Sequence, residues 1–142
     1  LGYVLGDEGG GVHLGRNLLN GIFKGHIPLK EEFLAATGLS YEEIIRRVYR
    51  EPYANRFLAS FAPFILAHTD CPEVREMVRR SFGEFASRNL SRYPQGLPVS
   101  FVGGIAARFG ELLRETLEAE DYRIGTIVES PAEGLLKYHH GR

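Results

Sequence analysis

The stretch Pro98-Val99-Ser100-Phe101-Val102-Gly103-Gly104-Ile105-Ala106-Ala107-Arg108 decides how this 142-residue chain reads. Its first five residues form a short buried strand and the two glycines a tight turn, after which Ile105, Phe109, Leu112, Leu113 and Leu117 recur at the spacing of an amphipathic helix. Tyr122 to Val128 reads as the next strand. Ser130-Pro131-Ala132-Glu133 then opens a terminal helix with an N-cap, a proline at its first position and a capping-box glutamate. Strand, helix, strand, helix is the pattern of a parallel α/β layer.

Working back from that stretch, the chain turns helical. After Asp70-Cys71-Pro72-Glu73, residues Val74, Met77, Val78, Phe82, Phe85, Ala86 and Leu90 line one face of a long helix whose other face carries Arg75, Arg79, Arg80, Glu84 and Arg88. Asn55 to Ala67 is apolar on most faces and is expected to be one buried helix kinked at Pro63. Ser40-Tyr41-Glu42-Glu43 is a capping box opening a helix that runs through Arg50, and Leu29 to Thr37 is a helix stopped by Gly38. At the start, Leu1 to Leu5 reads as the end of a strand and Gly6-Asp7-Glu8-Gly9-Gly10-Gly11 as an acidic glycine loop. Val12, Leu14, Leu18, Leu19, Ile22 and Phe23 then form a helix closed by Gly25.

Composition narrows the function classes. Seventeen Lys and Arg against 18 Asp and Glu leave a net charge of −1, which removes the long-range field of a general nucleic-acid or anionic-membrane binder. No apolar run reaches the roughly 18 residues of a membrane span, and Leu1 to Leu5 lacks the basic flank of a signal peptide. A single cysteine, Cys71, allows no internal disulfide, so a reducing, cytoplasmic setting is expected. The five histidines share no ligand spacing with it or with one another, and no metal site is expected. The chain begins Leu1-Gly2-Tyr3 inside a strand, which is read as a cut through a longer protein.

Three glycine sites carry the candidate chemistry. A carboxylate at the carboxyl end of a strand faces the crevice where ligands bind in α/β sheets, and Asp7 there would accept two hydrogen bonds from neighbouring hydroxyls, as a sugar presents. Equally, Asp7 or Glu8 would complement the dipole of the following helix. Gly103-Gly104 ahead of a helix lets a flat ring or phosphate approach the backbone, with Arg108 one turn on, or simply makes a tight turn. It lacks both the G-x-G-x-x-G fingerprint and the G-x-x-x-x-G-K-[ST] loop. Glu133 has a sufficient task in the capping box, whereas Gly134 in a first helical turn calls for a close neighbour or ligand.

Taken in order, Leu5-Gly6-Asp7-Glu8-Gly9, Asn55-Arg56-Phe57-Leu58-Ala59-Ser60-Phe61, Phe101-Val102-Gly103-Gly104 and Ser130-Pro131-Ala132-Glu133-Gly134-Leu135 resemble the C-terminal half of the BadF/BadG/BcrA/BcrD ATPase family. That family includes the N-acetylglucosamine kinases and lies within the actin/hexokinase/Hsp70 superfamily. The resemblance covers essentially the whole chain. It implies a helix-rich C-terminal lobe, residues 1–142, of an actin-like, ribonuclease H-like α/β fold with two or three strands of its sheet, and a helical subregion over 29–69. It implies ATP and Mg²⁺ as cofactors and an amino sugar as substrate. On the sugar side it places Gly2, Asp7 and Glu8. On the nucleotide side it places Gly103, Gly104, Arg108, Leu58, Ala59, Glu133 and Gly134.

Gly10 stands where the family commonly has serine after G-D-E-G, and Gly104 where the sugar kinases often have serine. The family's first phosphate loop and its catalytic aspartate belong to an N-terminal lobe that these residues do not contain, so no catalytic residue is assigned and the chain alone is expected to be inactive. Its expected partners are the sugar, ATP and that missing lobe, with no nucleic acid or membrane and with a homodimer left open. Two further readings stand beside the kinase: a dehydratase-activating ATPase, for which Cys71 alone is a poor cluster ligand set, and a non-catalytic sugar-binding or regulatory relative.

Overall fold

Three short apolar runs, Gly2–Val4 (β1), Pro98–Val102 (β2) and Arg123–Val128 (β3), pair in parallel in the order β1-β2-β3. The computed structural model describes residues 2–4, 7–52, 54–92, 94 and 96–129, and at 2–4 and 7–9 it describes the backbone. The terminal helix expected from Ser130 lies outside them. Helices are α1 (Asp7–Phe23), α2 (Lys30–Thr37), α3 (Tyr41–Tyr49), α4 (Ala54–Ala59), α5 (Ala62–Ala67), α6 (Pro72–Asn89), α7 (Gly104–Arg108) and α8 (Gly110–Ala119). The helix-rich α/β class expected from the sequence is the class observed. Glu8–Val78 forms a helical unit, and the strands with α7, α8 and the second part of α6 form a sheet unit.

In the sheet unit, β2 is half-buried and not wholly so: Val99 and Phe101 face inward while Pro98 is exposed. β3 carries a bulge. Val99 pairs with Ile124 and Phe101 with Ile127, so Gly125 and Thr126 together oppose Ser100. The ladder donor displaced there is recovered by a side chain, because the Thr126 N–H donates to Ser100 Oγ at 3.1 Å. A Cβ on Gly125 would stand 2.7 Å from that same oxygen, which accounts for glycine at this position. The single helix expected after Gly104 is two. Phe109, with φ −101° and ψ 24°, ends α7 and starts α8, held by burial and by an edge-on contact with Phe82 at 6.2 Å. Leu112, Leu113 and Leu117 form the buried stripe of α8, and Arg79 of α6 pairs with Glu115 at 2.7 Å.

The helical unit corrects two expectations. The acidic glycine stretch is not a loop: from Asp7 onward it is the first turns of α1, which contains Gly9, Gly10, Gly11, Gly15 and Gly21. Each glycine costs about 1 kcal/mol of helix propensity against alanine, so α1 owes its existence to packing. A Cβ on Gly15 would lie 2.1 Å from the Leu58 carbonyl oxygen, one on Gly11 3.1 Å from Ala59 Cβ, and one on Gly21 2.5 Å from Ile27 Cδ1. Missing side chains let α1 press its backbone against α4.

The expected kinked helix over Asn55–Ala67 is instead α4 and α5, broken at Ser60-Phe61. The Ser60 hydroxyl donates to the Phe57 carbonyl and so satisfies a helix-end acceptor. Pro63 falls in the first turn of α5, where its missing N–H is no loss. Phe33 of α2 is the fully buried centre of this unit, edge-on to Phe61 at 5.0 Å, Phe64 at 5.3 Å and Phe23 at 6.4 Å. Burying such a ring is worth about 2–3 kcal/mol, with roughly 0.5–1.5 kcal/mol more per well-placed aromatic pair. Gly38, at φ 68°, closes α2 as expected.

The capping box at α3 also forms as read. The Glu43 N–H donates to Ser40 Oγ at 3.2 Å and the Ser40 N–H donates to Glu43 Oε1 at 3.0 Å. These hydrogen bonds, from the Ser40 backbone first and its side chain second, hold the Glu43 carboxyl below its ordinary value of 4.5. Because the folded value is lowered, the box's contribution is complete above the ordinary glutamate range and is lost as pH falls through the folded value. Ser40→Ala should cost about 1 kcal/mol near neutrality, and the cost should shrink at acid pH, as urea titrations of the variant at several pH values will show.

Two glycine substitutions should move stability in opposite directions. Gly15→Ala forces a methyl onto backbone that cannot yield and should destabilise by about 2–3 kcal/mol or more. Gly83→Ala, inside α6 where an added Cβ meets nothing within 4 Å, should stabilise by about 0.5–1 kcal/mol. Thermal melts of the two variants check both signs.

Candidate functional site

Parallel pairing puts the carboxyl ends of all three strands on one edge of the sheet, and the register makes this sharp: Val4, Val102 and Val128 are direct partners across it. The residues just after each of these three valines are therefore brought to that edge, where ligands bind in open α/β sheets. Asp7 comes three residues after Val4 and is the first residue of α1, with Glu8 next to it. Gly103 and Gly104 come directly after Val102. Gly2 sits at the start of β1, opposite Ser100.

Gly103 is shaped by its place. Its N–H donates to the Val128 carbonyl at 2.9 Å, closing the ladder between β2 and β3, and its backbone then turns at φ 140°, ψ 158°. That conformation disfavours any residue with a side chain. Gly104, Ile105 and Ala106 come next as the buried start of α7, so the central strand ends in bare backbone that leads at once into a helix. A flat ring can lie against backbone of this kind. Arg108, at the end of α7, is exposed to solvent.

Leu58 and Ala59 belong to α4, in the helical unit. Leu58 is fully buried and its carbonyl faces Gly15, so its side chain is committed to the core of that unit. Glu133 and Gly134 lie outside the described residues. On the exposed side of α3, Arg46 Nε lies 3.4 Å from Glu51, and the Arg47 guanidinium carbon sits 5.2 Å from the Phe57 ring centroid. His68 stacks on Phe64 at 4.1 Å, with Nδ1 donating to the Phe64 carbonyl at 2.8 Å. No spacing rule links Arg47 to Phe57, so the sequence offered no signal for that stack. Cys71 precedes α6, its thiol donating to Glu73 at 3.4 Å.

Among the described residues no three of His, Cys, Asp and Glu come together to hold a metal ion, and no helix is long and apolar enough to cross a membrane.

No family model matches the chain, and no curated protein is similar enough to match it. Among solved structures, a protein of Porphyromonas gingivalis provisionally named an N-acetylglucosamine kinase is 41% identical over 93% of this chain, with a TM-score of 0.85. The chain spans 48% of that protein's length, about half. At this identity the two share a fold over nearly every residue here, so the three-strand edge described above is part of a kinase-like fold.

Proposed function

We propose that this chain is the sugar- and adenosine-binding half of an ATP-dependent amino-sugar kinase of the N-acetylglucosamine kinase type. The observation that supports the reading is the Val4, Val102, Val128 register, which starts the segments leading to Asp7 and to Gly103-Gly104 from one edge of the sheet. The Porphyromonas gingivalis likeness supports it. Asp7 accepts hydrogen bonds from two sugar hydroxyls and so orients the sugar, with Glu8 next in sequence, and Gly2 at the start of β1 is assigned to the same side by the resemblance. The Gly103-Gly104 turn offers the bare backbone against which adenosine lies, with Arg108, Leu58, Ala59, Glu133 and Gly134 on the nucleotide side.

ATP supplies the phosphoryl group and Mg²⁺ neutralises its charge. Phosphoryl transfer depends on positioning and charge neutralisation, and a general base and a phosphate loop are needed from outside these residues. The protein that combines this segment with them would act as a phosphotransferase in the cytoplasm.

In that longer protein, Asp7→Ala should raise the sugar KM and lower kcat/KM for the sugar about 100-fold or more, in line with the ~3 kcal/mol that two hydrogen bonds to a charged group contribute. The ATP KM should change little. Steady-state kinetics over a panel of amino sugars tests this, and unchanged sugar kinetics would sink the reading.

A further inference from the structure

The helical unit holds a concavity that the kinase reading does not use. It has a volume of about 660 Å³ and lies among α2, α3, α4 and α5, with Phe57, Phe61 and Phe64 in its walls and Thr37, Arg47, Ser60 and His68 as polar members. Pockets of this size with an aromatic lining and a few polar groups are the usual form of a small-molecule site.

Its charge is the informative part. None of the lining residues is acidic, and Arg47 supplies a permanent positive charge. Two carboxylates stand four residues from Arg47 in the sequence, Glu43 within α3 and Glu51 just past its end. Neither forms an ion pair with it, although the Arg46 and Arg47 charges help to hold the Glu43 carboxyl down. Glu43 is turned back onto the Ser40 N–H by the capping box, and Glu51 is paired with Arg46. Arg47 forms no ion pair with any described residue and rests instead on the face of Phe57, which leaves the edge of its fork of N–H donors for another acceptor.

We propose that this pocket binds a planar aromatic carboxylate. The ring packs among Phe57, Phe61 and Phe64, and the carboxylate takes two parallel hydrogen bonds from the Arg47 guanidinium. The Thr37 hydroxyl already donates to the Leu34 carbonyl and His68 Nδ1 to the Phe64 carbonyl, so neither of these donors competes for the ring's acid group. The proposal uses none of the residues given to the sugar or the nucleotide.

The test is titration of the 142-residue chain with indole-3-acetate, monitored by proton–nitrogen NMR. Saturable shifts are expected at Arg47, Phe57, Phe64 and His68, with a Kd of about 1 mM or below. Indole-3-acetamide, which keeps the ring and loses the charge, should bind at least about tenfold more weakly, as should the acid to the Arg47→Ala variant, while Arg47→Lys recovers part of the loss. Arg47 is exposed, and unchanged circular dichroism of the variants will confirm that they fold. Equal binding of acid and amide, no shifts up to about 10 mM acid, or shifts that track protein concentration alone, as self-association would give, each overturn the proposal.

Discussion

Parallel pairing is the constraint that governs the rest of this structure. Two parallel neighbours cannot be joined by a hairpin, so every connection must cross over the sheet and return to the same starting end. The segment between β1 and β2 meets this demand with helices α1 to α6, and the segment between β2 and β3 with α7 and α8. The same demand releases the chain at one edge three times, after Val4, after Val102 and after Val128. A one-residue slip of β2 would turn Val99 and Phe101 outward and displace Gly103 from its bond to Val128, so burial of those two side chains also fixes where the glycine turn stands.

A second constraint acts inside the helical unit. The Leu58 carbonyl approaches α1 so closely that a methyl group at Gly15 cannot be accommodated, and the neighbouring contacts at Gly11 and Gly21 are also tight. A helix with five glycines in seventeen residues would not form alone in water. Its propensity loss is offset by buried leucines, Leu14, Leu18 and Leu19, and by contact with α4 that larger residues would prevent. The part of α4 packed against α1 includes the Leu58-Ala59 backbone, which the proposed kinase reading sets on the nucleotide side.

Most of the architecture was legible because it rests on local rules. The capping box at Ser40, the left-handed Gly38, the apolar stripe of α6 and the strand-glycine-glycine-helix order are written in neighbouring residues. The features that were not legible depend on distant residues. The glycines from Gly9 to Gly11 read as loop by propensity, and only the presence of Ala59 and Leu58 across from α1 makes them helical. Pro63 read as a kink, whereas the Ser60 hydroxyl ends α4 before it. The bulge at Gly125 needs Ser100, and the Arg47 stack needs Phe57. The candidate positions Asp7 and Gly103-Gly104 could be named from the sequence because strand ends bounded by glycine are visible there; that the strands end on one edge required the register.

The two readings of Asp7, as a sugar-binding group and as a complement to a helix dipole, reinforce each other. Asp7 is the first residue of α1, the end of a helix whose partial positive charge complements an acidic residue. An ionised carboxylate accepts hydrogen bonds from hydroxyls and repels phosphate. In the proposed kinase this divides the sheet edge by charge. The β1 end, with Asp7 and Glu8, is suited to a neutral polyhydroxyl ligand, and the β2 end, where Gly103 and Gly104 bring no carboxylate, is the part an anionic nucleotide can approach.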